Sequence, residues 1–111
     1  MEVVVDGNQI NTTATGFLVN LDDWNEKVAE VIAAQEGITL TQEHWDVIKY
    51  LRDMYFDENE QPMERVINKG MSKIWGRKLS SKDLYRLFPL APSKQGNRIA
   101  GLPYVARKGG Y

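Results

Sequence analysis

Apolar residues recur along this chain with two periods, first the alternation of strands and then the spacing of helices. Val3-Val4-Val5 and Gln9-Ile10 flank Asp6-Gly7, which predicts a small hairpin, because Asp-Gly accepts the positive backbone angles of a primed two-residue turn. A two-stranded ribbon is marginal alone, so the hairpin is expected to pack on the helices. Thr12 to Asn20 reads as a connector, with Gly16 at a turn and Phe17 and Leu18 anchored in the core. A first helix is expected from a cap at Asp22 to about Gln35, with Gly37 as its stop. Its inward positions are Trp24, Val28, Val31, Ile32 and Gln35, and Asp23, Glu26 and Glu30 face water.

Thr41 is placed to cap a second helix from Gln42 to about Asn59, whose inward stripe is His44, Val47, Ile48, Leu51, Met54 and Tyr55. Pro62 is expected to open a third helix, where its missing amide hydrogen costs nothing. Met63, Ile67, Gly70, Met71 and Ile74 share one face of that helix, Arg65, Lys69 and Lys73 step by four along another, and Gly76 ends it. Ser80 or Ser81 with Asp83 starts a short fourth helix through Leu84, Leu87 and Phe88, stopped by Pro89. One more helical turn is expected from Pro92 to about Ala100, before the break at Gly101-Leu-Pro103.

The fold class that follows is mainly α with a small N-terminal β-hairpin. It is an orthogonal bundle of four to five helices with a helix-turn-helix-like pair and a projecting C-terminal arm. Residues 1–111 are expected to form one domain, with hairpin and connector over 1–20, helical body over 21–88 and arm over 89–111. The arm is interrupted by Pro89, Pro92, Gly96, Gly101, Pro103, Gly109 and Gly110, yet Phe88, Leu90, Ile99, Leu102, Tyr104 and Val105 make it too apolar for a solvated tail. Such a segment is built to dock.

Composition narrows the function classes. With 42% hydrophobic and 26% charged residues, the 111-residue chain has the make-up of a globular domain. No stretch approaches the roughly 20 apolar residues that span a bilayer, and Met1-Glu-Val-Val-Val-Asp6 does not read as a secretory leader, so a cytoplasmic protein without a membrane partner is expected. There is no cysteine, which excludes disulfides and thiolate metal sites. The net charge of −1 conceals a polarised chain: residues 1–61 hold 13 acids and 3 Lys/Arg (−10), residues 62–111 hold 2 acids and 11 Lys/Arg (+9). The basic half either meets an anionic surface or neutralises the acidic half within the fold.

Candidate chemistry is sparse. His44 is the only histidine, so a histidine metal cluster or a Ser-His triad is hard to build, and beside Trp45 at a helix start it reads as a packing or capping residue. Glu43, Asp46, Asp53, Asp57 and Glu58 have the spacing of a wet helix face. No phosphate-binding glycine loop is present, and no metal, cofactor or enzyme site is expected. Arg65, Lys69, Lys73 and Arg77 lie on or just after the second member of a helix-turn-helix-like pair, which makes DNA a possible partner; the alternative is a solubilising face.

Tyr85-Arg-Leu-Phe-Pro89, Pro92-Ser-Lys-Gln95 and Arg98-Ile-Ala-Gly-Leu-Pro103 together resemble the signature of the DsrC/TusE family, the sulfur-relay proteins also called the gamma subunit of dissimilatory sulfite reductase. The likeness extends through Gly16-Phe-Leu18, Asp23-Trp-Asn25, Glu36-Gly-Ile38, Glu43-His-Trp45 and Arg52-Asp-Met-Tyr55, so it covers essentially the whole chain. It implies a C-terminal arm that carries sulfur on a next-to-last cysteine and, in many members, on a second one eleven residues earlier. Here Asn97 holds the earlier position, Lys108 the ungapped later one, and Gly110 is next to last. A carrier needs a thiolate to take up sulfur, and methionine has no ionisable proton to substitute.

The expectation is therefore a non-catalytic adaptor or regulator in sulfur metabolism, with a DNA-binding regulator and a family-typical sulfur-transfer role as alternatives. The resemblance implies sulfite reductase or sulfur-transferase complexes as partners. Tyr85, Arg86, Phe88, Lys94, Arg98, Ile99, Leu102, Arg107 and Lys108 are the candidate contacts, the apolar ones alternatively folding the arm onto the body.

Overall fold

A computed structural model describes residues 2–105. Strands β1 (Glu2–Val5) and β2 (Asn8–Asn11) pair antiparallel, with Val3 opposite Ile10. The turn between them uses positive φ at Asp6 (51°) and Gly7 (80°), as Asp-Gly predicts. Val3 and Val5 point inward and are buried, and the hairpin rests on the first helix. An isolated bridge between Thr12 and Leu18 closes the connector and sets Phe17 and Leu18 into the core.

The helices are α1 (Glu26–Gln35), α2 (Gln42–Glu58), α3 (Glu64–Trp75) and α4 (Ser81–Leu87), then a π-helical turn over Pro92–Gly96 that runs into α5 (Asn97–Ile99). One core joins them. Val28, Ala29, Ile32 and Ala33 of α1, Val47, Ile48 and Leu51 of α2, Ile67 and Met71 of α3, and Leu84 of α4 meet Phe88, Ile99 and Leu102 of the C-terminal segment. Each large apolar side chain so enclosed stabilises the fold by roughly 1.5–3 kcal/mol.

The first helix begins later than its pattern predicts. Asn20 accepts the Asp22 amide and caps a 3-10 turn over Leu21–Asp23, and Asn25 accepts the Val28 amide and caps α1. Asp22 is therefore not the cap, and Trp24 sits in extended backbone between the two turns. Gln35 is exposed rather than inward, because Ala29 and Ala33 complete the buried face.

Thr41 and His44 form the capping box of α2, and Ser80 and Asp83 that of α4. Pro62 does not open α3; Met63 is its N-cap and Pro62 is buried just before it. Of the stripe expected on α3, Ile67 and Met71 are buried, but Met63 and Ile74 are exposed, and half-buried Trp75 packs on the core and donates to Asp46 at 2.8 Å. Gly70 allows Tyr50 to lie against the helix, since a Cβ there would fall 2.5 Å from the phenol ring.

Candidate functional site

The site is built where the C-terminal segment is fastened to the body. Its first half is held by carboxylates. Glu36, just past α1, accepts Arg98 Nε at 2.6 Å and Nη2 at 2.8 Å, and also Gln95 Nε2 at 2.7 Å. The fork-to-fork geometry is the strong form of an ion pair, and both side chains are mostly buried. Arg98 Nη1 donates to the Thr15 carbonyl at 2.9 Å, tying the same guanidinium to the connector. Gln95 Oε1 accepts the Leu90 amide, supporting Ala91, which turns with φ of 92°. On the other side, Glu64 of α3 accepts both the amide and the hydroxyl of Ser93.

The second half is held by its backbone carbonyls. Trp24 Nε1 donates to Ile99 O at 2.9 Å, Arg52 Nη1 to Ala100 O at 2.7 Å, and Gln61 Nε2 to Pro103 O at 2.9 Å. Gly101, at φ +73°, lies flat against the Trp24 indole, where a Cβ would come within 2.2 Å of Cδ1. The Arg52 guanidinium stacks on Trp24 at 3.8 Å from the ring centroid and on Phe56 at 4.9 Å. Burial holds the Arg52 pKa below its ordinary value, with Asp53 opposing that shift. Tyr104, the next residue along, packs edge-on against Phe17 at 5.5 Å. Three side chains from three different parts of the chain thus fix the path of residues 99–104.

His44 is part of the same support. Its Nδ1 accepts the Thr41 amide, so the neutral ring carries its proton on Nε2, which donates to Leu87 O at 2.9 Å. Desolvation lowers its pKa, opposed by the Leu87 hydrogen bond and the Glu43 charge. It packs edge-on against Phe88. The histidine positions the end of α4.

Of the residues singled out from the sequence, Phe88, Ile99 and Leu102 are fully buried and fasten the segment to the body. Arg98 is engaged with Glu36 and Thr15. Tyr85, Arg86 and Lys94 are exposed, and Arg86 pairs with Asp83 at 3.2 Å. Arg107, Lys108 and Gly110 lie outside the described residues. Asn97 is 1% exposed; its amide donates to Ser93 O at 2.6 Å and its carbonyl oxygen has no partner among the described residues. Arg65, Lys69 and Lys73 line the exposed flank of α3, and Arg77 bonds to Glu43 and stacks on Trp75.

Glu36, Trp24, Arg52 and Gln61 were not among the sequence candidates. Only Arg52 carried a readable signal, a cation at the margin of the buried face of α2 that requires a partner; Glu36, Trp24 and Gln61 lie in connections, where no periodicity marks them. No group of three or more potential metal ligands is assembled among the described residues.

The profile of the family described as "DsrC like protein" matches residues 4–106. The chain belongs to the DsrC/TusE family. Sulfurtransferase TusE of Yersinia pseudotuberculosis is 48% identical over 99 residues, covering 88% of this chain and 92% of that protein. Sulfurtransferase TusE of Escherichia coli K12 is 43% identical over 102 residues, covering 91% and 94%. Among solved structures, DsrC of Allochromatium vinosum superposes with a TM-score of 0.87 at 43% identity, covering 96% of this chain and 98% of that one. The oxidized gamma-subunit of the dissimilatory sulfite reductase from Archaeoglobus fulgidus gives 0.89 at 35% identity, with the same coverage. The segment fastened by Glu36, Trp24, Arg52 and Gln61 lies within the stretch that matches the family, and none of the 111 residues is a cysteine. Among the described residues no helix is long and apolar enough to cross a membrane.

Proposed function

We propose that this DsrC/TusE-family chain binds the sulfite reductase or sulfurtransferase complexes of its relatives without carrying sulfur, acting as an adaptor or regulator. The observation that carries this reading is the pairing of a fully fastened arm base with a sequence that has no thiol. Sulfur relay proceeds by thiolate attack on a persulfide, leaving the sulfur covalently bound to the attacking thiol. Asn97, at the earlier of the family's arm cysteine positions, offers an amide that cannot do this. The carbonyl clamps of Trp24, Arg52 and Gln61 hold residues 99–103 against the body, which supports a preserved scaffold without the thiol.

A partner that accepts this arm would be occupied unproductively. The chain then competes with a thiol-bearing relative and lowers sulfur flux in proportion to its abundance. Calorimetric titration into a purified sulfite reductase or sulfurtransferase complex from the same organism tests this. Saturable binding that is weakened by Arg107→Glu with Lys108→Glu is expected; absence of binding to either complex refutes the reading.

A further inference from the structure

The junction of α2 and α3 leaves apolar surface uncovered. The two helices lie side by side and antiparallel, since Glu43 meets Arg77, Asp46 meets Trp75 and Tyr50 meets Gly70 in turn along them. Between them runs a groove of about 400 Å3 lined by Asp46, Lys49, Tyr50, Asp53, Ile74 and Trp75. Ile74 is 57% exposed and Val66 40%. With Gly70 between them they stand at i, i+4 and i+8, so they share one stripe of α3. The Tyr50 ring crosses this stripe at Gly70, its hydroxyl 3.5 Å from Val66 O, and joins it to α2. Exposed apolar residues scattered singly are ordinary, whereas a row of them beside a groove marks a docking surface.

The two walls of the groove differ in charge. On α3, Arg65, Lys69 and Lys73 stand exposed beside the stripe, and none of them makes an ion pair among the described residues. On α2 the outward row is Asp46, Lys49, Asp53 and Asp57, three carboxylates to one ammonium, and Lys49 bonds Asp53 at 2.7 Å on its own helix. Among the described residues, the one ion pair between the helices is Arg77–Glu43, at one end of the groove. A partner of a single charge would match only one wall. A second copy of this chain matches both, because an apolar line with an acidic row on one side and a basic row on the other is its own complement.

We propose that two copies of this chain pair through the α2–α3 groove, about a two-fold axis that runs along it. That axis lays the acidic row of each copy over the basic row of the other and sets the two Val66–Ile74 stripes against each other. An axis across the groove would put acid on acid and base on base, so the charges choose between the two. Burial of Val66 and Ile74 supplies affinity, and the rows fix the orientation. Pairing of this kind requires no other protein and is independent of the C-terminal segment.

Sedimentation equilibrium of the full chain over a concentration series tests this. A reversible monomer–dimer equilibrium that weakens with added salt is expected. Ile74→Asp puts a carboxylate on the apolar line and should weaken pairing about a hundredfold, since a roughly tenfold loss counts twice across a two-fold interface. The side chain is exposed in the single chain, so melting in dilute solution should change little. Asp53→Lys with Asp57→Lys, and separately Arg65→Glu with Lys69→Glu, should each abolish self-pairing; a mixture of the two variants should pair, and a chain carrying all four changes should pair with itself. A wild-type chain that stays monomeric up to millimolar concentration overturns the proposal, as does a dimer indifferent to Ile74→Asp. A four-change chain that stays monomeric overturns the two-fold arrangement. If the wild-type chain is monomeric and Ile74→Asp weakens its binding to a sulfurtransferase or sulfite reductase complex, the groove belongs to that complex and the pairing is refuted.

Discussion

Gly101→Ala is the sharpest probe of how the arm base is fastened. Two costs add at this position. The backbone stands at φ +73°, where an L-residue loses roughly 1–2 kcal/mol relative to glycine. The new methyl would also fall 2.2, 2.5 and 2.8 Å from Cδ1, Cγ and Cβ of Trp24. The last two of these atoms belong to the stem of the side chain rather than a flexible tip, so Trp24 must move as a whole, an overpacking cost of about 1–3 kcal/mol. Moving Trp24 also disturbs its bond to Ile99 O and its stack on Arg52. The sum, about 2–5 kcal/mol, corresponds to a fall in Tm of roughly 8–20 °C for a domain of this size. Gly7→Ala is the control: φ is +80° but nothing lies within 4 Å of the added Cβ, so only the backbone cost applies, about 1 kcal/mol or a few degrees. Thermal melts followed by circular dichroism and tryptophan fluorescence measure both. Equal shifts for the two variants would refute the account of Gly101 as a steric fit to the indole.

Three further outcomes follow from the same geometry. Glu36→Ala strips Arg98 and Gln95 of their shared acceptor in a mostly buried place and is expected to cost about 3 kcal/mol in chemical denaturation, with Glu36→Ala/Arg98→Ala costing less than the two single changes summed. His44 has a lowered pKa in the folded chain, so the unfolded chain takes up its proton first; stability is full above the unfolded pKa near 6.5 and falls as pH drops below it, and His44→Gln should lessen that part of the slope in melts across pH. A cysteine placed by Asn97→Cys should react with a thiol reagent far more slowly than the unfolded protein does, because the side chain at this position is 1% exposed; rapid reaction would show that the segment opens readily.

The helices, the hairpin turn and the capping residues Thr41 and Ser80 were legible because each is a local choice, fixed by spacing and by side chains a few residues apart. The start of α1 was not. Asp22 is as good a cap in isolation as Asn20 or Asn25, and what decides among them is Trp24, which leaves helical geometry to reach Ile99, 75 residues away. The exposure of Ile74 has a similar origin, since Trp75 finds Asp46 on α2 and takes the place beside the core.

The arm base shows the same division. Its sequence announced an apolar segment in need of a seat, and Phe88, Ile99 and Leu102 take theirs in the core. The residues that hold its polar groups, Glu36, Arg52 and Gln61, come from α2 and from the connections flanking it, and no periodicity links them to residues 95–103. Charge told its story only in part. Arg98–Glu36 and Arg77–Glu43 join the basic half of the chain to the acidic half, whereas Asp57, Glu58 and Glu60 remain outside any such pair among the described residues.

Native mass spectrometry of a turnover mixture containing the partner complex, a sulfur donor and this chain measures binding and cargo together. The account predicts a complex of partner and chain in which the chain keeps its own mass throughout. A chain that gains the mass of one sulfur atom and loses it again during turnover, or that never appears on the partner, would contradict it.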